Sequence, residues 1–152
     1  MSLKRLGLGE ILGMAGAVLL VLSLWIPWFQ TDASNPNSQI DSFRGKVIPW
    51  DAFQTLPIWL ILVAIAPFVL AWIIIRGHEI GWNRGELTTI IGAIGFLLVF
   101  GNGILFGRPG AAPVDVQLWW GYLAALVGCS MIMAGGILRQ AESPPPPEPP
   151  GV

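Results

Sequence analysis

With 54% hydrophobic side chains, 11% charged and a formal net charge of −1 over 152 residues, the chain has too little charge to solvate a globule, and its apolar residues are gathered into four blocks. No basic cluster exceeds Lys4-Arg5, so the electrostatic footprint of nucleic-acid binding is missing and nucleic acid is excluded as a partner. The single cysteine, Cys129, lies inside the fourth block without a second thiol for a disulfide, metal or redox pair, and reads as a small buried packing residue.

The chain opens on an amphipathic lead-in, with Lys4 and Arg5 between Leu3, Leu6 and Leu8, suited to the headgroup region. Glu10 sits at the same depth and reads as a solvated or paired interfacial charge. From Ile11 to Phe29 no charge occurs, enough at 1.5 Å per residue to cross a hydrocarbon core of about 30 Å. This first predicted helix, residues 11–29, is long for a signal peptide and ends in Trp25-Ile26-Pro27-Trp28, not in a small-x-small cleavage site, so it is expected to be retained. Gly9, Gly13, Gly16, Leu20, Ser23 and Pro27 fall at alternating spacings of four and three, which puts them on one face where a neighbouring backbone can approach closely.

Residues 30–54 form the one substantial polar connection, with Asp32, Arg44, Lys46 and Asp51 and a turn signal at Asn35-Pro36-Asn37. Its aromatics, Trp50 among them, are expected to rest at the headgroups. The second predicted helix, 56–75, begins with Pro57, where a missing N–H is not needed, and carries Pro67 in mid-span, where it is expected to kink the helix. Trp59 and Trp72 mark its two ends, and its bulky faces make it the candidate for the most lipid-exposed helix.

A glycine-rich link between Arg76 and Glu86 holds the single histidine, His78, without the second histidine at helical spacing that a zinc motif needs, so no metal or other cofactor is expected. The third predicted helix, 87–106, places Thr88, Gly92, Gly95, Val99 and Asn102 on one face and is the candidate for the most interior helix, with Asn102 bonding a neighbouring helix. A second tight loop leads to Trp119-Trp120 and the fourth predicted helix, 118–138, with Gly121, Ala125, Gly128, Ile132 and Gly135 as a third small-residue face. Residues 140–152, with Ser143 followed by a proline run, are expected to be an extended, disordered tail.

The expected fold class is therefore an all-α membrane protein, four transmembrane helices in a compact bundle over residues 1–139 followed by the tail. Trp25, Trp28, Trp50, Trp59, Trp72, Trp119 and Trp120 are the expected interfacial anchors, and Gly13, Gly16, Gly92, Gly95, Asn102, Gly121, Ala125 and Gly128 the helix-packing residues. Lys4, Arg5, Arg76, Arg84 and Arg139 on one side against Arg44, Lys46 and Arg108 on the other predict cytoplasmic termini in a multi-pass plasma-membrane protein.

The run Leu24-Trp25-Ile26-Pro27-Trp28-Phe29, followed by Pro49-Trp50-Asp51-Ala52-Phe53, resembles the uncharacterised four-helix integral membrane proteins common in actinobacterial genomes. The resemblance implies the four-helix layout and no activity. A tryptophan-bearing first loop is also found in claudin-like tetraspans, but this loop is short and lacks their cysteine pair.

The spans contain no charged residue, and no nucleophile–base pair, paired aspartates or phosphate loop occurs at usable spacing, so no enzyme activity is expected. The favoured reading is a non-catalytic structural or accessory subunit packing in the bilayer as a homo-oligomer or within a larger membrane complex. An oligomeric transport or permeation protein is the alternative, prompted by Pro67 and the Gly101-Asn102-Gly103 break.

Overall fold

The computed structural model describes residues 6–77, 83–110 and 115–142, and for Arg84 the backbone alone. Lys4, Arg5, His78 and the tail from Ser143 lie outside the described residues. The chain forms helix α1 (Leu8–Ser23), strands β1 (Phe29–Thr31) and β2 (Lys46–Val47), a one-turn helix α2 (Pro49–Ala52), helices α3 (Leu56–Arg76) and α4 (Arg84–Phe100) with a π-helical turn Gly101–Leu105, then β3 (Val116–Leu118) and helix α5 (Trp120–Glu142). Three stretches, Leu56–Arg76, Gly85–Leu105 and Trp120–Glu142, are long and apolar enough to cross a membrane.

Helix α1 is shorter than the sequence suggests, stopping at Ser23 and not at Phe29. Pro27 has no N–H to give to the Ser23 carbonyl four residues back, and the residue before a proline is pushed out of the helical region. The Trp28 indole nitrogen instead donates to the Ser23 oxygen at 2.9 Å. Between the two, Leu24, Trp25 and Ile26 donate to Val21, Leu22 and Ser23, a tightened i→i+3 continuation. Sixteen α-helical residues rise about 24 Å and three in 3₁₀ geometry add about 6 Å, which matches a hydrocarbon core of about 30 Å.

Helix α5 is the centre of the bundle, packed against α1 on one side and α4 on the other. It has the largest buried share of the three long helices, 44%, against 39% for α3 and 28% for α4. The expected rank of the third helix is therefore corrected: α5 is the most interior. The reason is visible at consecutive glycines. A Cβ on Gly135 would lie 2.5 Å from the Gly9 carbonyl oxygen in α1, and one on Gly136 would lie 2.4 Å from the Thr89 nitrogen in α4. Small residues on two adjacent faces let α5 take two close neighbours, whereas α4 has one such face. Helix α3 turns the largest set of big apolar side chains outward, Ile58, Trp59, Leu62, Ile65, Phe68, Val69 and Trp72, as expected of the most lipid-exposed helix.

The chain is mostly helical, as expected, and carries one small sheet that the all-α reading did not include. Strands β2, β1 and β3 form an antiparallel sheet in that order, pairing Phe29 with Val47 and with Leu118, and Gln30 with Lys46 and with Gln117. Phe29 and Thr31 of β1 turn inward and Val116 and Val47 join them, so one continuous core runs from the helices into the sheet. Before β2 the chain makes a tight hairpin, Ile40 paired with Phe43. Its central residues Asp41 and Ser42 both have positive φ, the left-handed pair that a primed turn requires.

Candidate functional site

Three places concentrate chemistry: the helix seams, the ion pair at the end of the bundle away from the sheet, and the sheet itself. In the seams, a Cβ on Gly16 would lie 2.6 Å from the Gly128 carbonyl oxygen, and one on Gly128 would lie 2.8 Å from the Gly16 oxygen. Gly92 faces the Met133 backbone at 2.5 Å, and Gly121 faces the Ile26 and Pro27 carbonyls at 2.5 Å. Gly95 meets side chains, Val63 Cγ1 at 2.8 Å and Cys129 Sγ at 3.1 Å, and Ala125 is fully buried. Gly13 differs, since a Cβ there would find its nearest neighbours at 3.8 Å, an ordinary contact. Gly9 and Gly135, expected on the small-residue faces, lie in the same seams; Gly85 continues the four-and-three spacing of the third helix, and Gly136 lies one step off that of the fourth, against α4.

Asn102 does not reach another helix. Its amide donates to the Leu98 carbonyl in its own helix at 2.9 Å, and the Tyr122 hydroxyl donates to the neighbouring Val99 carbonyl at 2.9 Å. Both carbonyls lie just before the π-helical turn that begins at Gly101, and the Leu98 oxygen accepts the Gly101 N–H as well. Gly103 makes room for the arrangement, because a Cβ there would lie 2.4 Å from the Tyr122 ring.

At the end away from the sheet, Arg139 Nε stands 2.8 Å from Glu10 Oε1, and the Glu10 side chain is only 7% exposed. The other Glu10 oxygen accepts the Gly7 backbone N–H at 2.8 Å, closing the first turn of α1. The pair ties the start of α1 to the end of α5. Beside it, Pro67, Leu70, Ile74 and Thr88 line a crevice with about 20 Å³ of free space, room for one water.

The tryptophans divide by environment. Trp25, Trp59, Trp72 and Trp120 are exposed, and Arg76 lies 4.1 Å over the Trp72 ring. Trp119 is half-buried, with Lys46 Nζ 5.0 Å from its ring centre, and Trp50 is half-buried against Trp25 at 5.9 Å. Trp28 does not act as a headgroup anchor. It is 0% exposed and packs edge-on against Tyr122 at 5.6 Å and Phe53 at 6.5 Å, with Phe29 beside them. This aromatic cluster joins the loop after α1 to the start of α5; Trp119 donates its N–H to the Trp28 carbonyl and Gly121 to that of Pro27.

On the other face of the sheet, Lys46, Gln30 and Gln117 form a row across the three strands. Next to the row is a cleft of about 580 Å³ lined by Gln30, Thr31, Asp32, Arg108, Asp115 and Gln117 among others. Arg108 is fixed by donating to the Val116 carbonyl. Asp32 accepts from both the hydroxyl and the backbone N–H of Ser34, which holds its carboxyl below the usual range, and its own N–H donates to the buried Ser38 hydroxyl at 2.8 Å. The sequence showed these residues as scattered polar loop positions, because strands of two or three residues carry no readable period.

Comparison with known proteins finds no family model, no curated protein and no solved structure that matches the chain. Function is therefore argued from the residues.

Proposed function

We propose that the chain is a non-catalytic integral membrane protein of the plasma membrane, with α1, α3, α4 and α5 as its four spans, and that it serves as a structural or accessory subunit in a membrane assembly. One observation carries the insertion. All four helices turn large apolar side chains outward, among them Ile11 and Leu22 of α1, Leu62 and Phe68 of α3, Ile94 and Leu97 of α4, and Leu123 and Val127 of α5. A surface apolar on every side suits lipid and would aggregate in water. With the termini cytoplasmic, the sheet and the 30–54 segment face outward.

The subunit reading follows from how the bundle is filled. Its interior is occupied by Leu20, Leu60, Val99, Tyr122, Ala125, Cys129 and Ile132, all buried to 0% exposure, so the helices form a packed support for the sheet. The glycine faces are used up inside the chain, which leaves the sheet and the outer faces of α3 and α4 for partners. Native mass measurement after extraction in a mild detergent tests the assembly, with species heavier than the 16.4 kDa chain expected. A single-chain species under all mild conditions contradicts it.

A further inference from the structure

The solvent face of the sheet brings both charge signs onto one cleft. Its volume of about 580 Å³ falls within the roughly 300–1,000 Å³ usual for small-molecule sites. Asp32, Asp115 and Arg108 line it together, yet none of them pairs with another, since both salt bridges among the described residues are made by Arg139 at the far end of the bundle. Two of the three are also held in place: Arg108 by the Val116 carbonyl, and Asp32 by Ser34 and Ser38. Fixed charges that do not neutralise each other are preorganised for a ligand.

The sign pattern narrows the ligand. A simple anion would find one guanidinium and two carboxylates, and a simple cation would face Arg108. A molecule carrying both an ammonium and a carboxylate satisfies the whole set. We propose that this cleft binds a small zwitterion of the amino-acid type, a free α-amino acid or a short peptide. Asp32 and Asp115 receive its ammonium, Arg108 takes its carboxylate through the planar fork that matches that group, and the Gln30–Gln117 pair bonds the polar atoms between.

Ligand-observed NMR on the full-length chain in a nonionic detergent tests this, with an equimolar mixture of the common amino acids and a mixture of dipeptides, each component at about 10 mM, where millimolar affinities register. Saturable binding of one mixture or both is expected. Tighter binding of the free acids identifies an amino-acid site, and tighter binding of the dipeptides identifies a peptide site. N-acetylation or amidation of the probes is expected to weaken binding at least about tenfold, the loss of one charged contact. Asp115→Asn, at an exposed side chain, is expected to do the same without lowering the melting temperature. Arg108→Gln is expected to weaken binding equally, and if it loosens β3, Asp115→Asn decides alone. The proposal is overturned if neither mixture binds, if blocked probes bind as well as free ones, or if Asp115→Asn binds like the parent.

Discussion

Helices α5 and α3 are close in length, 23 and 21 residues, and both are apolar, but they are held by different physics. Helix α5 meets α1 and α4 backbone to backbone, through glycines whose missing Cβ atoms leave carbonyl oxygens within 2.5–2.8 Å of where a side chain would begin. Helix α3 contains no glycine and presents Leu60, Val63, Pro67, Leu70 and Ile74 to its neighbours. In lipid, apolar side chains gain little from burial against protein, so close contact decides adhesion. The α1–α5–α4 group should therefore be the rigid part, and α3 the helix that tolerates change.

Five substitutions sharpen or break that contrast, each read as a shift in unfolding free energy in detergent or bicelles. Arg139→Leu removes the partner of the buried Glu10 carboxylate at the α1–α5 seam and is expected to cost about 3 kcal/mol, as loss of one member of a buried pair does. Gly16→Leu drives a side chain into the α5 backbone, which cannot rotate away, and should cost near the top of the roughly 1–3 kcal/mol range for overpacking. Gly95→Leu meets Val63 and Cys129 side chains and should cost near the bottom of that range, about 1 kcal/mol, while Leu at the exposed neighbour Ile94 should be almost neutral. Asn102→Leu should lose about 0.6 kcal/mol, an average membrane hydrogen bond.

Gly13→Ala supplies the control within the same stripe. Its Cβ has room, and relief of glycine's helix penalty should make the change neutral or stabilising by up to about 1 kcal/mol. Equal damage at Gly13 and Gly16 would show that spacing alone, and not backbone proximity, sets the cost.

Spacing made the seams legible. Glycines at alternating intervals of four and three in the first, third and fourth apolar runs fall where the structure brings helices together. The order of the helices was harder to read, because one small-residue stripe reports one close neighbour and says nothing about the total. The Gly135-Gly136 doublet was the available signal, since adjacent residues on a helix face different neighbours. The sheet was hidden for a different reason: β1 and β3 pair residues 29–31 with 116–118, and three-residue strands so far apart in sequence leave no local period. Trp28 was misread because an indole next to a proline at a helix end fits a headgroup anchor and a buried cluster equally well. Its partners Phe53 and Tyr122 come close only through the fold.

The central claim is that α1 crosses the bilayer although its α-helical part has only 16 residues. Single cysteines at Leu8, Asn37 and Ala141, all exposed, placed in a Cys129→Ala background and probed with a membrane-impermeant maleimide on intact cells, test it most directly. Labelling of Asn37 from outside, with Leu8 and Ala141 reacting only after permeabilisation, is the predicted result. The inverted pattern would reverse the orientation and keep the four spans, whereas Leu8 and Asn37 reacting from the same side would show that α1 does not cross.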